Sequence, residues 1–158
     1  QCMYGICENI NIQKYKPKSH TIIEMNPVVI KRLKKWAKNY DNIIIVEGTW
    51  QEKLHTLGTF DEVFFDDFPL KMPENSFELK LNCERIHMFL DIIKYNHSKL
   101  ITKVSAYIHD PNNIFKERIN ARQDCTYKEY QFYTDIPDNC NYYRDTKTII
   151  PIITFIEI

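Results

Sequence analysis

Glu24, Gly48 and Asp66 have types and positions suited to chemistry. Each closes a short run rich in β-branched or aromatic residues: Thr21-Ile22-Ile23, Ile43-Ile44-Ile45-Val46-Glu47 and Val63-Phe64-Phe65. In an open parallel sheet, ligands bind beyond the carboxyl ends of the strands. A carboxylate at one such end can accept hydrogen bonds from two neighbouring hydroxyls. A glycine at the next lets backbone come close to a flat ring. An acidic residue at a third can face the reacting end of the same ligand. Each residue also has an ordinary alternative. Glu24 can serve the helix that starts at Pro27, because acidic groups favour helix N-termini. Gly48 can be a turn glycine, and Asp66 with Asp67 can be solvated loop residues. The coincidence of all three on one edge favours a ligand site or the relic of one.

Such an edge needs a parallel sheet, and the order of elements supplies it. Residues 20–25 read as a strand. Asn26 is an N-cap and Pro27 suits the first helical position. Val29, Leu33, Trp36, Ala37 and Tyr40 recur at helical spacing, with Lys31, Arg32, Lys34, Lys35 and Lys38 on the solvated face. The unbroken apolar run in 42–47 suits a parallel strand buried on both faces. Gly48 ends it, and residues 49–57 form a short helix. A strand over 60–66 precedes a helix over 76–96, with Ile86, Phe89, Leu90 and Ile93 turned inward. A strand over 99–107 and a helix over 114–122 follow. The alternation in 126–134 and the β-branched stretch 148–158 read as an antiparallel pair, with 136–143 as a loop between them. Strands alternating with helices imply an α/β fold with a mostly parallel sheet, here as one domain over 1–158.

Composition excludes several function classes. The chain has 21 basic and 21 acidic residues, a balance that argues against a large nucleic-acid footprint. No apolar run reaches the ~18 residues of a membrane span, and no signal peptide is visible. The five cysteines lack any C-x-x-C spacing, which fits reduced thiols in an intracellular, cytoplasmic setting. His20, His55, His87, His97 and His109 are scattered, so a metal site is not expected.

The stretches Glu47-Gly48-Thr49-Trp50-Gln51-Glu52 and Phe64-Phe65-Asp66-Asp67-Phe68-Pro69-Leu70, in that order and at that separation, carry a resemblance. Ile136-Pro137-Asp138-Asn139-Cys140-Asn141-Tyr142-Tyr143 and Ile150-Pro151-Ile152-Ile153-Thr154 extend it. From about residue 3 to residue 156 the chain resembles guanidinoacetate N-methyltransferase and the related arginine N-methyltransferase 2 group. The resemblance implies a class I methyltransferase fold: a Rossmann-like sheet, mostly parallel, with a C-terminal antiparallel hairpin. It implies S-adenosylmethionine as cofactor, with Gly5, Glu24, Met25, Asn26, Gly48 and Thr49 around it. Asp66 would then contact a small guanidino-type substrate. A carboxylate pairs with a planar guanidinium through two parallel hydrogen bonds. It aims a nitrogen at the methyl donor and can accept the proton that nitrogen sheds.

The chain also departs from the family. Cys2-Met3-Tyr4-Gly5-Ile6-Cys7-Glu8 keeps one glycine where the family has a glycine-rich loop, which argues for weakened cofactor affinity. The first strand reads as truncated or absent, so the N-terminal part is expected to be incomplete. Tyr107 and Ile108 replace small hydroxylated residues that touch the substrate carboxylate, which speaks against guanidinoacetate itself. Two functions stay open at this point. One is N-methyl transfer to a guanidino or related nitrogen. The other is an inactive methyltransferase-fold subunit with protein partners and a structural role in a larger assembly.

Overall fold

The computed structural model describes residues 7–65, 87–96, 101–106, 113–133 and 147–156. They fall into two compact units, residues 1–57 and 58–158.

The first unit holds α1 (Cys7–Lys14), β1 (His20–Glu24), α2 (Pro27–Ala37), β2 (Ile43–Glu47), α3 (Trp50–Lys53) and a 3-10 turn over Leu54–Thr56. β1 and β2 pair in parallel, from His20 opposite Ile43 to Glu24 opposite Glu47. α2 starts where Asn26 turns the chain: its Oδ1 accepts from the amides of Val28 (2.9 Å) and Val29 (3.4 Å), and Pro27 follows at a position that needs no donor. The helix lays Leu33 and Ile30, both buried, toward the interior. Leu33 and Ile22 form a small core, with Val29, Trp36, Ile43 and Ile45 packed around it. Tyr40 extends this layer against Trp36, ring centroids 5.0 Å apart. α1 is tied to the amino ends of both strands by polar contacts. Gln13 bonds the His20 ring at 3.0 Å, and Asn42 donates to Gln13 at 3.3 Å and to the Pro17 carbonyl at 2.7 Å.

Two expectations change here. The segment 7–14 is a helix that the sequence pattern does not announce. β2 is not buried on both faces: Ile44 is 54% exposed. α2 covers the face carrying Ile43 and Ile45, and an alternating strand turns Ile44 the other way.

The second unit has β3 (Glu62–Phe65), a helix α4 over described residues 87–93, β4 (Ile101–Ala106), α5 (Asn113–Asn120), β5 (Cys125–Tyr133) and β6 (Lys147–Ile156). The sheet order is β3-β4-β6-β5. β3 and β4 are parallel, while β6 runs antiparallel to both β4 and β5. Parallel pairing followed by an antiparallel C-terminal pair is the architecture expected from the alternation of elements. Val104, Ile153, Phe155 and Thr102 lie fully buried in the sheet, and α4 supplies Phe89, Leu90 and Ile93 to the core. Phe89 stacks on Phe65 of β3 at 4.2 Å.

Arg122 locks the start of β5. It donates to both Asp124 oxygens, at 2.9 and 2.8 Å, and to Asp91 of α4 at 2.8 Å. Its guanidinium also lies 5.9 Å from the Phe155 ring centroid. The paired hydrogen bonds from Arg122 hold the Asp124 carboxyl below its usual range. On β5, Tyr127 donates to Glu129, which also pairs with Lys116 of α5 at 3.1 Å. Burial, then this neighbouring carboxylate, pushes the Tyr127 phenol up.

Candidate cofactor site

The carboxyl ends of β1 and β2 bring Glu24, Met25, Asn26, Gly48 and Thr49 together in the first unit. Parallel pairing in register is what does this, because Glu24 and Glu47 are partners across the ladder. The Gly48 amide then donates to the Glu24 carbonyl at 2.9 Å, carrying the contact one residue past the strands.

Glu24 turns its carboxylate back over the strand-to-helix turn. Oε1 accepts from the amides of Met25 (2.8 Å) and Asn26 (2.7 Å). The helix cap itself is Asn26, so Glu24 organises the turn before α2 rather than α2's first amides. A carboxylate has about four acceptor sites, and two backbone bonds on one oxygen leave acceptor capacity on the group. Met25, the next residue along the chain, is exposed.

Gly48 adopts φ +137°, a backbone conformation that side-chain-bearing residues rarely take. The chain then enters α3, with Thr49 as N-cap, its Oγ1 accepting from the Glu52 amide at 3.3 Å. The Lys53 amide closes this single turn on the Thr49 carbonyl at 3.1 Å. Lys53 therefore comes back toward Gly48, and its stem crosses the glycine. A Cβ at position 48 would lie 2.6 Å from Lys53 Cε and 3.2 Å from its Cγ. Glycine at 48 is thus favoured by its own torsion, whatever else approaches it, while the flexible Lys53 stem can give way.

Glu47, beside Glu24, forms an ion pair with Lys34 of α2. Two adjacent carboxylates repel, and Lys34 neutralises the outer one. Glu52 also reaches this edge, its Oε2 3.5 Å from a Cβ placed on Gly48. The Lys34–Glu47 pair and the Lys53 stem at Gly48 do not follow from the sequence pattern. Lys53 carries a usable signal, as the end of a one-turn helix begun directly after a strand-ending glycine.

Gly5 and Asp66 lie outside the described residues. Among the described residues, no cluster of His, Cys, Asp and Glu could hold a metal ion, and no helix is long and apolar enough to cross a membrane.

Known proteins resemble parts of this chain or its fold. Protein arginine N-methyltransferase 2 of Saccharomyces cerevisiae is 44% identical over 57 residues, covering 35% of this chain and 14% of that protein. Its Kluyveromyces lactis counterpart is 41% identical over 64 residues, covering 39% and 15%. The match therefore spans a small part of these relatives. Among solved structures, a putative precorrin-6Y C5,15-methyltransferase domain from Corynebacterium diphtheriae superposes with TM-score 0.53 at 11% identity, covering 94% of this chain and 80% of that one. Precorrin 8w decarboxylase of Methanobacterium thermoautotrophicum gives TM-score 0.53 at 14% identity, covering 87% and 69%. At such identities the likeness concerns the fold, and it agrees with a Rossmann-like methyltransferase sheet. The model of the family described as guanidinoacetate N-methyltransferase matches residues 3–155. With nearly the whole chain matched, the protein belongs to the guanidinoacetate N-methyltransferase family and has the class I methyltransferase fold.

Proposed function

We propose that the chain binds S-adenosylmethionine at the carboxyl edge of β1 and β2 and acts as an N-methyltransferase on a guanidino or related nitrogen. The observation that carries the reading is Glu24, a carboxylate held by the Met25 and Asn26 amides one strand away from Gly48. Its remaining acceptor sites suit the paired hydroxyls of a ribose. Gly48 and Thr49 would flank the adenine, and Lys34 pairs with Glu47 beside them. When bound, the cofactor supplies an electrophilic methyl group on sulfonium. By resemblance to the family, Asp66 would orient the accepting nitrogen by bidentate pairing and would take up its proton.

A second reading, an inactive subunit that keeps the fold, draws support from the single-glycine segment at Gly5 and from the Lys53 stem over Gly48. Titration with S-adenosylhomocysteine separates the two. A ligand at ~100 times its dissociation constant stabilises by ~2.7 kcal/mol. The enzymatic reading expects a clear upward shift in melting temperature that is reduced in Glu24→Gln. No shift at millimolar ligand supports the inactive subunit.

A further inference from the structure

The face of Gly48 toward which a side chain would project is occupied by the Lys53 stem, with Glu52 Oε2 at its edge, 3.5 Å from a hypothetical Cβ. The stem is held there by the geometry of α3: Thr49 caps the turn, the Lys53 amide bonds the Thr49 carbonyl, and the side chain emerges one helical turn after the glycine. Its Cγ and Cε come within 3.2 and 2.6 Å of a hypothetical Cβ on Gly48. A flat ring in van der Waals contact with that face needs the same volume.

We propose that Lys53 sets the affinity of the site for a nucleoside by competing with the ring for Gly48. This inference rests on the cofactor reading given above. The stem must swing off the glycine before the ring can settle, and the ring then loses the affinity spent on moving it. The lysine stem is flexible and amphipathic, so it can leave without unfolding α3. The competition concerns the methylene stem rather than the charge, and the nucleoside rather than the amino-acid end of the ligand.

The test compares wild type, Lys53→Ala and Lys53→Met in the full chain by calorimetry with S-adenosylhomocysteine and with adenosine. Both variants remove the charge, and only alanine removes the stem. Immobilising or displacing one long side chain changes affinity by about two- to tenfold. Lys53→Ala is expected to bind both ligands tighter than Lys53→Met by about that factor, with the same ratio for each. Lys53→Met is expected to stay within about twofold of wild type, on the same scale. Equal affinities in the two variants would overturn the proposal. So would weaker binding in Lys53→Ala, which would make the stem a wall of the pocket rather than a competitor. If wild type binds and Glu24→Gln weakens it while the two Lys53 variants agree, only this inference falls. If none of the proteins binds either ligand, the cofactor reading falls and takes this inference with it.

Discussion

Replacing Glu24 with glutamine removes a charge and little else. The substituted side chain keeps an oxygen that can accept from the Met25 and Asn26 amides, which lie 2.8 and 2.7 Å from Oε1 of the native carboxylate. The turn into α2 is therefore retained, and Asn26 still caps the helix. Because those bonds are solvent-exposed, their weakening costs the fold less than ~1 kcal/mol. Binding is affected more strongly. A hydrogen bond to a charged group contributes ~1.5–3 kcal/mol, and a carboxylate accepting from a diol loses that assistance in the amide. The amide can also accept only through its oxygen. Affinity for S-adenosylhomocysteine should fall by roughly ten- to a hundredfold, since each ~1.4 kcal/mol is tenfold. Calorimetry measures the affinities, and a melt without ligand checks the fold. Equal affinities with equal stabilities would refute the reasoning and remove Glu24 from the site. A large loss of stability without ligand would instead show that the carboxylate's charge is needed by the turn.

Gly48→Ala forces an L side chain into φ +137° and should cost ~1–3 kcal/mol in urea unfolding. Most of that loss should persist in the Lys53→Ala background, because torsion outlasts the clash. Arg122→Lys cannot reproduce the fork on Asp124 while also reaching Asp91, and should destabilise by ~1.5–3 kcal/mol, lowering the melting temperature by roughly 5 °C. Burial, then the nearby Arg118 and Arg122 charges, pushes the His87 imidazole down from 6.5 to about 4. Between those values the unfolded chain binds the extra proton, so His87's contribution is complete above about pH 6.5 and is lost as pH falls toward about 4. Urea midpoints should drop between about pH 7 and about pH 4.5, and His87→Leu should flatten that slope; an unchanged slope would exclude His87 as its source.

The parts of the fold visible in the sequence are those set by short-range pattern. Asn26-Pro27 marks the start of α2, and Leu33 follows at the spacing that buries it. Phe89, Leu90 and Ile93 mark the inner face of α4 in the same way. The pairing of β5 with β6 follows from alternation in one and β-branched residues in the other. α1 is not legible because Ile10 and Ile12 stand two apart, a spacing that does not build a helical face, and its anchors are the polar residues Gln13 and Asn42. The exposure of Ile44 is not legible either, because an apolar run does not say how many faces are covered. The Arg122–Asp91 bond joins residues 31 apart in sequence, and no local pattern encodes it.

The candidate site divides along the same line. The positions of Glu24 and Gly48 at strand ends are readable, but the reason for each is not. The sequence suggests that Gly48 makes room for a ligand, whereas its torsion already accounts for glycine. A glycine at that position is therefore weak evidence of binding by itself. Glu24 is different. Its two backbone bonds engage one oxygen, and any residue that capped this turn through a single acceptor, such as asparagine or serine, would do as well. The turn does not account for a full carboxylate. Neither does α2, whose first amides are satisfied by Asn26. A second carboxylate at Glu47 makes the extra charge at Glu24 more costly, and Lys34 offsets it at the neighbour rather than at Glu24 itself. The arrangement keeps an anionic acceptor at the end of β1 with acceptor sites beyond its two backbone bonds, and under the proposed cofactor reading a ligand diol would use them.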